Sequence, residues 1–213
     1  MNPLLIAVAF LQFDVESGAV TKRNWPQEDQ PVAIGSLAKP FIALAYAEGH
    51  HYTYPRLTCN PKQCWLPRGH GALGVEDAIA QSCNVYFDTL RKQVRHELIE
   101  STVRRFGLQN SDRAKPEEIL RAYVELQRRA VEPGVAPILS GMRRAAQKGT
   151  AKLLDRDALA KTGTAACAHT PKAPGDGFAI VLSPAAAPKT AIIVRIHGRP
   201  GSHAAREAAA LLR

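Results

Sequence analysis

Ser36 and Lys39 stand three residues apart where the chain begins to read as a helix. Residues at that spacing share a helix face, so the Lys39 amine is expected one turn below the Ser36 hydroxyl, within its reach. A serine needs a base to become a nucleophile, and an amine serves if burial or positive neighbours keep it neutral. Phe41, Ile42 and Leu44 offer an apolar wall, and the helix N-terminus offers N–H groups to an oxyanion. Further along, Ser82-Cys83-Asn84 supplies a second hydroxyl suited to relaying a proton and an amide suited to holding a substrate amide. Lys161-Thr162-Gly163-Thr164 opens an expected strand. A lysine and two hydroxyls there suit a carboxylate, and Gly163 lets an extended peptide approach the strand edge. Taken singly, these patterns also read as a surface helix turn, a helix-end cap and a Gly-containing turn into a strand. Their order, Ser-x-x-Lys, Ser-x-Asn, Lys-Thr-Gly, points to acyl transfer through a serine.

A second constellation lies between the first two patterns. Cys59, Cys64 and His70 fall in one loop, and Cys83 sits inside the Ser82 motif. Three Cys and one His make a tetrahedral zinc set, which would pin the loop beside Ser82. A Cys59–Cys64 disulfide with an unpaired Cys83, or separate thiols, are the alternatives. The fourth cysteine, Cys167, falls on the expected strand after Lys161 and reads as buried packing. His50 and His51, past the Gly49 helix stop, read as solvated. His169, His197 and His203 have no serine–carboxylate pattern around them, which argues against a Ser-His-Asp triad.

Elements must bring these residues together. Leu4–Phe13 reads as a strand buried on both faces, and Ala19–Lys22 as its hairpin partner. Ser36–Glu48 reads as a helix with Pro40 in its first turn. His50–Gly74 reads as an ordered loop, and Val75–Gln93 as one helix with Glu76 and Asp77 at its start. Helices are expected over His96–Phe106, Pro116–Arg129 and Ile138–Gln147. Strands are expected over Ala160–Cys167, Gly177–Leu182 and Thr190–His197, then a closing helix over Ser202–Leu212. Strands at both ends of the chain should pair in one antiparallel five-stranded sheet flanked by helices. The middle should form an all-helical lobe. This is an α+β architecture: sheet lobe 1–34 and 156–213, helical lobe 35–155, with a cleft between them.

Composition bounds the rest. The chain has 213 residues, enough to bury a core without staples. Hydrophobic residues are 46% and charged residues 22%, which excludes a disordered tail, a rod and a coiled coil. The net charge of +9 points to an anionic partner. Nucleic acid is the composition-only reading, but no basic-aromatic motif supports it, so no nucleic acid is expected. No export signal or anchor is read: no Lys or Arg precedes the apolar N-terminal run, and no small-residue cleavage pattern follows it.

The ordered motifs, with flanking Gly35, Pro40, Phe41, Gly69-His70-Gly71, Gln81, Val85-Tyr86-Phe87, Gly141-Met142-Arg143 and Gly149-Thr150-Ala151, resemble the penicillin-binding protein transpeptidase family. Elongation-type class B enzymes are closest in flavour. The resemblance spans nearly the whole chain and implies a β-lactamase/transpeptidase-like fold. It implies Ser36 as acylated nucleophile, Lys39 as base, Ser82 as proton shuttle and Asn84 as holder of the substrate amide. Lys161, Thr162, Gly163 and Thr164 would bind the terminal carboxylate, and the N–H groups of Ser36 and Thr164 would form the oxyanion hole. The implied reaction is acyl transfer from a D-Ala-D-Ala stem peptide of peptidoglycan to an amine or to water, outside the cytoplasmic membrane. No cofactor is implied for catalysis. Some elongation-type members carry metal ligands in the region of the Cys/His loop, in line with a structural zinc there. Stem peptide, β-lactams and cell-wall synthesis proteins are the implied partners. The chain departs from the family in lacking a recognisable Gly-Gln-Gly stretch and in spacing Ser82 and Lys161 only 79 positions apart. Those departures bear on the acceptor site more than on acylation. A β-lactamase, or a non-catalytic peptidoglycan-binding module with the same fold, are the alternatives. Glu117-Glu118-Ile119-Leu120 resembles the deacylating motif of one lactamase class, with Arg121 in place of Asn, but Glu117 also fits as a first-turn acid after Pro116.

Overall fold

The computed structural model describes residues 8–168 and 170–213. The expected N-terminal strand begins outside them; its described part is β1 (Val8–Asp14), paired with β2 (Val20–Asn24). Two-residue strands β3 (Val32–Ala33) and β6 (Arg113–Ala114) pair with each other, and β4 (Leu57–Cys59) pairs with β5 (Gly71–Leu73). The C-terminal strands are β7 (Leu159–Ala165), β8 (Asp176–Ser183) and β9 (Thr190–Ile196). The main sheet runs β2-β1-β9-β8-β7, antiparallel throughout, so the first and last strands of the chain meet at the β1–β9 seam. The expected α+β fold, a five-stranded antiparallel sheet with flanking helices, is found.

Alternation along the strands assigns the two faces. Phe178, Ile180 and Leu182 of β8 point into the larger core, with Leu11 and Phe13 of β1. Ala179 and Val181 point the other way, with Ile192 and Val194 of β9, onto Ala204, Ala205 and Ala208 of α7 (Gly201–Leu211). Cover on both faces explains why β8 and β9 read as unbroken apolar runs. Each large apolar side chain so enclosed stabilises the fold by about 1.5–3 kcal/mol relative to exposure. β1 differs from expectation: one face is buried and the other only half-buried.

The helical lobe comprises α1 (Lys39–Glu48), α2 (Val75–Gln81), α3 (Asn84–Lys92), α4 (His96–Arg105), α5 (Pro116–Arg128) and α6 (Val135–Lys148). α1 runs through the middle of the core, with residues 39–47 all buried. Phe41 packs tilted against Phe106 and edge-on against Tyr123, and the Tyr123 hydroxyl donates to the Leu37 carbonyl at 2.7 Å, fixing the turn before α1.

Three expectations are corrected here. The segment 75–93 is not one helix: Ser82 adopts a left-handed conformation (φ 50°, ψ 42°), ends α2, and lets α3 start afresh at Asn84. Helical propensity on both sides hid a break whose reason is the position of one hydroxyl. The stretch 50–74 is not all loop, since it holds the β4–β5 hairpin. His50 is half-buried rather than solvated, its ring stacked on Tyr46 at 3.8 Å.

Candidate active site

Ser36 lies in a 3-10 turn, Gly35–Ala38, that runs straight into α1. Pro40 is tolerated because it falls in the first turn of α1, where no N–H is needed. Gly35 has φ +52°, and a Cβ there would lie 2.9 Å from Ala165 Cβ and 3.2 Å from the Thr164 carbonyl. That close approach seats the Ser36 turn against the end of β7. Leu37 packs on Gly163 in the same way, where a side chain would crowd it.

Lys39 is 7% exposed. Its Nζ donates to the Ser82 carbonyl at 2.7 Å and to Asn84 Oδ1 at 2.7 Å, and lies 3.3 Å from Ser82 Oγ. Ser36 Oγ is not among its hydrogen-bond partners. Lys161, fully buried, reaches the same hydroxyl from the opposite side: its Nζ lies 2.9 Å from Ser82 Oγ and 2.6 Å from the Thr162 carbonyl. One serine hydroxyl therefore bridges two lysines from different lobes. Burial draws Lys39 down to about 8. Burial and then the nearby Lys39 charge draw Lys161 well below the lysine range. Two like charges on one hydroxyl in a desolvated site disfavour each other, so the pair favours a neutral amine.

Thr162 and Thr164 line the cleft directly. Thr162 Oγ1 and Thr150 Oγ1 are 2.6 Å apart, and Thr150 is held by its N–H on the Ala80 carbonyl at 3.0 Å. Thr150 thus ties β7 to the end of α2. Gly149 has to be glycine, because a Cβ would collide with the Ala80 carbonyl. Thr164 Oγ1 accepts from the Gly201 N–H at the start of α7, at 3.3 Å.

The cleft between the lobes has a volume of about 810 Å3. Ser36, Ser82, Asn84, Thr150, Thr162, Gly163 and Thr164 lie along it; Lys161 does not, since its amine is turned behind the strand onto Ser82. Thr162 and Thr164 line the cleft, and the Lys161 amine is bonded to Ser82. Arg68, Lys148 and Lys152 also line the cleft, with no carboxylate among the described lining residues. Their sequence signal was only the overall positive charge, which does not say where the charge lies. Glu117 is absent from the cleft; it sits in the first turn of α5, 2.8 Å from Arg121, as a helix-start acid does.

The Cys/His set converges. Ligand atoms of Cys59, Cys64, His70 and Cys83 all lie within 4.8 Å of one another. His70 Nδ1 is 3.2 Å from Cys64 Sγ and 3.5 Å from Cys59 Sγ, and Cys83 and Cys59 sulfurs are 3.5 Å apart. All four cysteines of the chain are free thiols, so the disulfide alternative is not what the structure holds. A tetrahedral zinc with Zn–S about 2.3 Å and Zn–N about 2.0–2.1 Å has ligand–ligand edges of roughly 3.5–3.8 Å, close to these separations. Burial and then the Lys39 charge pull the His70 imidazole below its usual range, which keeps it neutral, the ligand form. The donor set fits zinc. The same loop delivers Trp65 and Arg68 to the cleft.

Residues 16–119 match the family model described as the penicillin binding protein transpeptidase domain. That span contains the Ser36 and Ser82 motifs and the Cys/His set. Solved structures align over almost the whole chain. The fold is that of penicillin-binding protein transpeptidase domains. Penicillin-binding protein PBP2 of Helicobacter pylori, solved in complex with MreC, matches with TM-score 0.81 at 17% identity, covering 95% of this chain and 58% of that one. PBP2 of Pseudomonas aeruginosa matches with TM-score 0.78 at 14% identity, covering 96% and 72%. The transpeptidase domain of Burkholderia pseudomallei penicillin-binding protein 3 matches with TM-score 0.73 at 14% identity, covering 97% and 88%. This chain therefore spans little more than half the length of the Helicobacter PBP2. No curated protein matches. Among the described residues, no helix is long and apolar enough to cross a membrane.

Proposed function

We propose that this domain is a serine D,D-acyltransferase acting on peptidoglycan stem peptides outside the cytoplasmic membrane. The observation that carries the reading is the buried relay in which Ser82 Oγ stands between Lys39 and Lys161 at the foot of the cleft that holds Ser36. Lys39, neutral in part of the population at physiological pH, takes the Ser36 proton. Ser36 Oγ attacks the carbonyl of the penultimate D-Ala, and the developing oxyanion is met by the N–H groups of Ser36 and Thr164. The C–N bond breaks, and the departing terminal D-Ala amine takes its proton through Ser82. An amine (cross-linking) or water (carboxypeptidation) then releases the acyl group. Thr162 and Thr164 hold the substrate's terminal carboxylate, and the Asn84 side chain, fixed by Lys39, presents its amide to the substrate backbone. The cationic, carboxylate-free lining suits an anionic peptide and supports the same reading. A zinc ion held by Cys59, Cys64, His70 and Cys83 would order the loop that carries Trp65 and Arg68. Cell-wall synthesis proteins are the class of partner this activity needs.

A fluorescent penicillin should label the wild type covalently at Ser36, and Ser36→Ala should abolish the label. A folded wild type that stays unlabelled overturns the catalytic reading.

A further inference from the structure

A second cluster stands beyond the end of β7. β7 stops at Ala165, so Cys167 is not on the strand and is half-buried rather than core; its thiol donates to the Lys172 carbonyl at 3.4 Å. Cys167 Sγ, a carboxylate oxygen of Asp176 and a ring nitrogen of His197 lie within 4.8 Å of one another. Asp176 is fully buried. It bonds His197 Nδ1 at 2.8 Å and accepts from the Ala168 N–H at 3.1 Å, and Arg195 Nε lies 4.0 Å away. The Lys172 stem lies across Gly198, where a Cβ would collide with it.

This arrangement sets a half-buried thiol beside an imidazole that a buried carboxylate orients. The buried Asp176 carboxylate accepts from His197 Nδ1–H, which fixes the tautomer and leaves Nε2 with a free lone pair. The Arg195 guanidinium beside Asp176 opposes a bound cation, so a metal is the poorer occupant. We propose that Cys167 is a modification site, a nucleophilic thiol that reacts with small disulfides. His197 receives the Cys167 proton and the thiolate attacks one sulfur of the disulfide. The old S–S bond breaks as the mixed disulfide forms, and the departing thiolate takes the proton from His197. The site does not use Ser36, and its test does not depend on acyl transfer.

The folded protein is treated with dithiodipyridine at neutral pH, and the modified thiol is mapped by peptide mass spectrometry. Cys167 should react at least about tenfold faster than the same cysteine in the unfolded chain. His197→Gln, checked for cooperative melting, should bring the rate down to the unfolded value. A Cys167 that reacts no faster folded than unfolded overturns the proposal; so does a folded His197→Gln variant with an unchanged rate. If that variant does not fold, the folded-to-unfolded comparison in the wild type decides alone.

Discussion

The lysine one turn after Ser36 should set the pH dependence of acylation. With its pKa near 8 instead of the ordinary 10.5, about 9% of Lys39 is neutral at pH 7, against about 0.03% for an unperturbed lysine. Burial thus raises the supply of base roughly 300-fold at that pH. Below pH 8 each unit should remove almost tenfold in rate; above it the rate should level off. The span from pH 6 to pH 9 works out at about 90-fold. The assay is the second-order rate of penicillin acylation by stopped flow across that range. Lys39→Arg keeps the positive charge but cannot supply a neutral amine, and should cost about 10²–10⁴-fold at every pH. A wild-type profile flat within twofold, or one still climbing tenfold per unit at pH 10, refutes the argument that burial tunes Lys39. Stability carries the same sign. The folded value lies below the unfolded one, so this group's contribution improves as pH rises from 8 towards 10.5 and is least favourable below 8.

Two further outcomes follow from the packing and the metal set. Protein purified without added zinc should contain about one equivalent, and chelation should lower the melting temperature; less than about half an equivalent in a normally folded protein sinks the zinc reading. Gly201→Ala, whose Cβ would overlap the Gly163 and Phe178 carbonyls, should push α7 off the sheet and cost about 1–3 kcal/mol in urea unfolding, whereas a change under 0.5 kcal/mol would mean the contact yields freely.

The three motifs were legible because each places a reactive side chain at a fixed spacing on an element whose ends are marked by Gly or Pro. Ser36 before Pro40 needed only helix rules. The break at Ser82 was not legible: Val75–Gln81 and Asn84–Lys92 are both good helix formers, and nothing local announces that Ser82 turns left-handed to meet two lysines 43 and 79 positions away. The orientation of Lys161 was hidden for the same reason, since residue type suits a carboxylate but only the fold shows the amine facing Ser82. Asp176 and His197 are 21 positions apart and meet because β8 and β9 pair with Gly177 opposite Ile196. No linear pattern carries that register.

One consequence joins the two lysines. Lys161 is rooted in β7 of the sheet lobe and Lys39 in α1 of the helical lobe, and they meet only at Ser82. The basicity of each therefore depends on how the lobes are seated, not on its own element. Gly149 and Thr150 hold that seating by gripping Ala80 just before Ser82, and Thr162 is bound to Thr150 in turn. A change in any of these residues moves Ser82 relative to both amines at once. The relay is tuned through packing, across two lysines that stand more than a hundred residues apart in sequence.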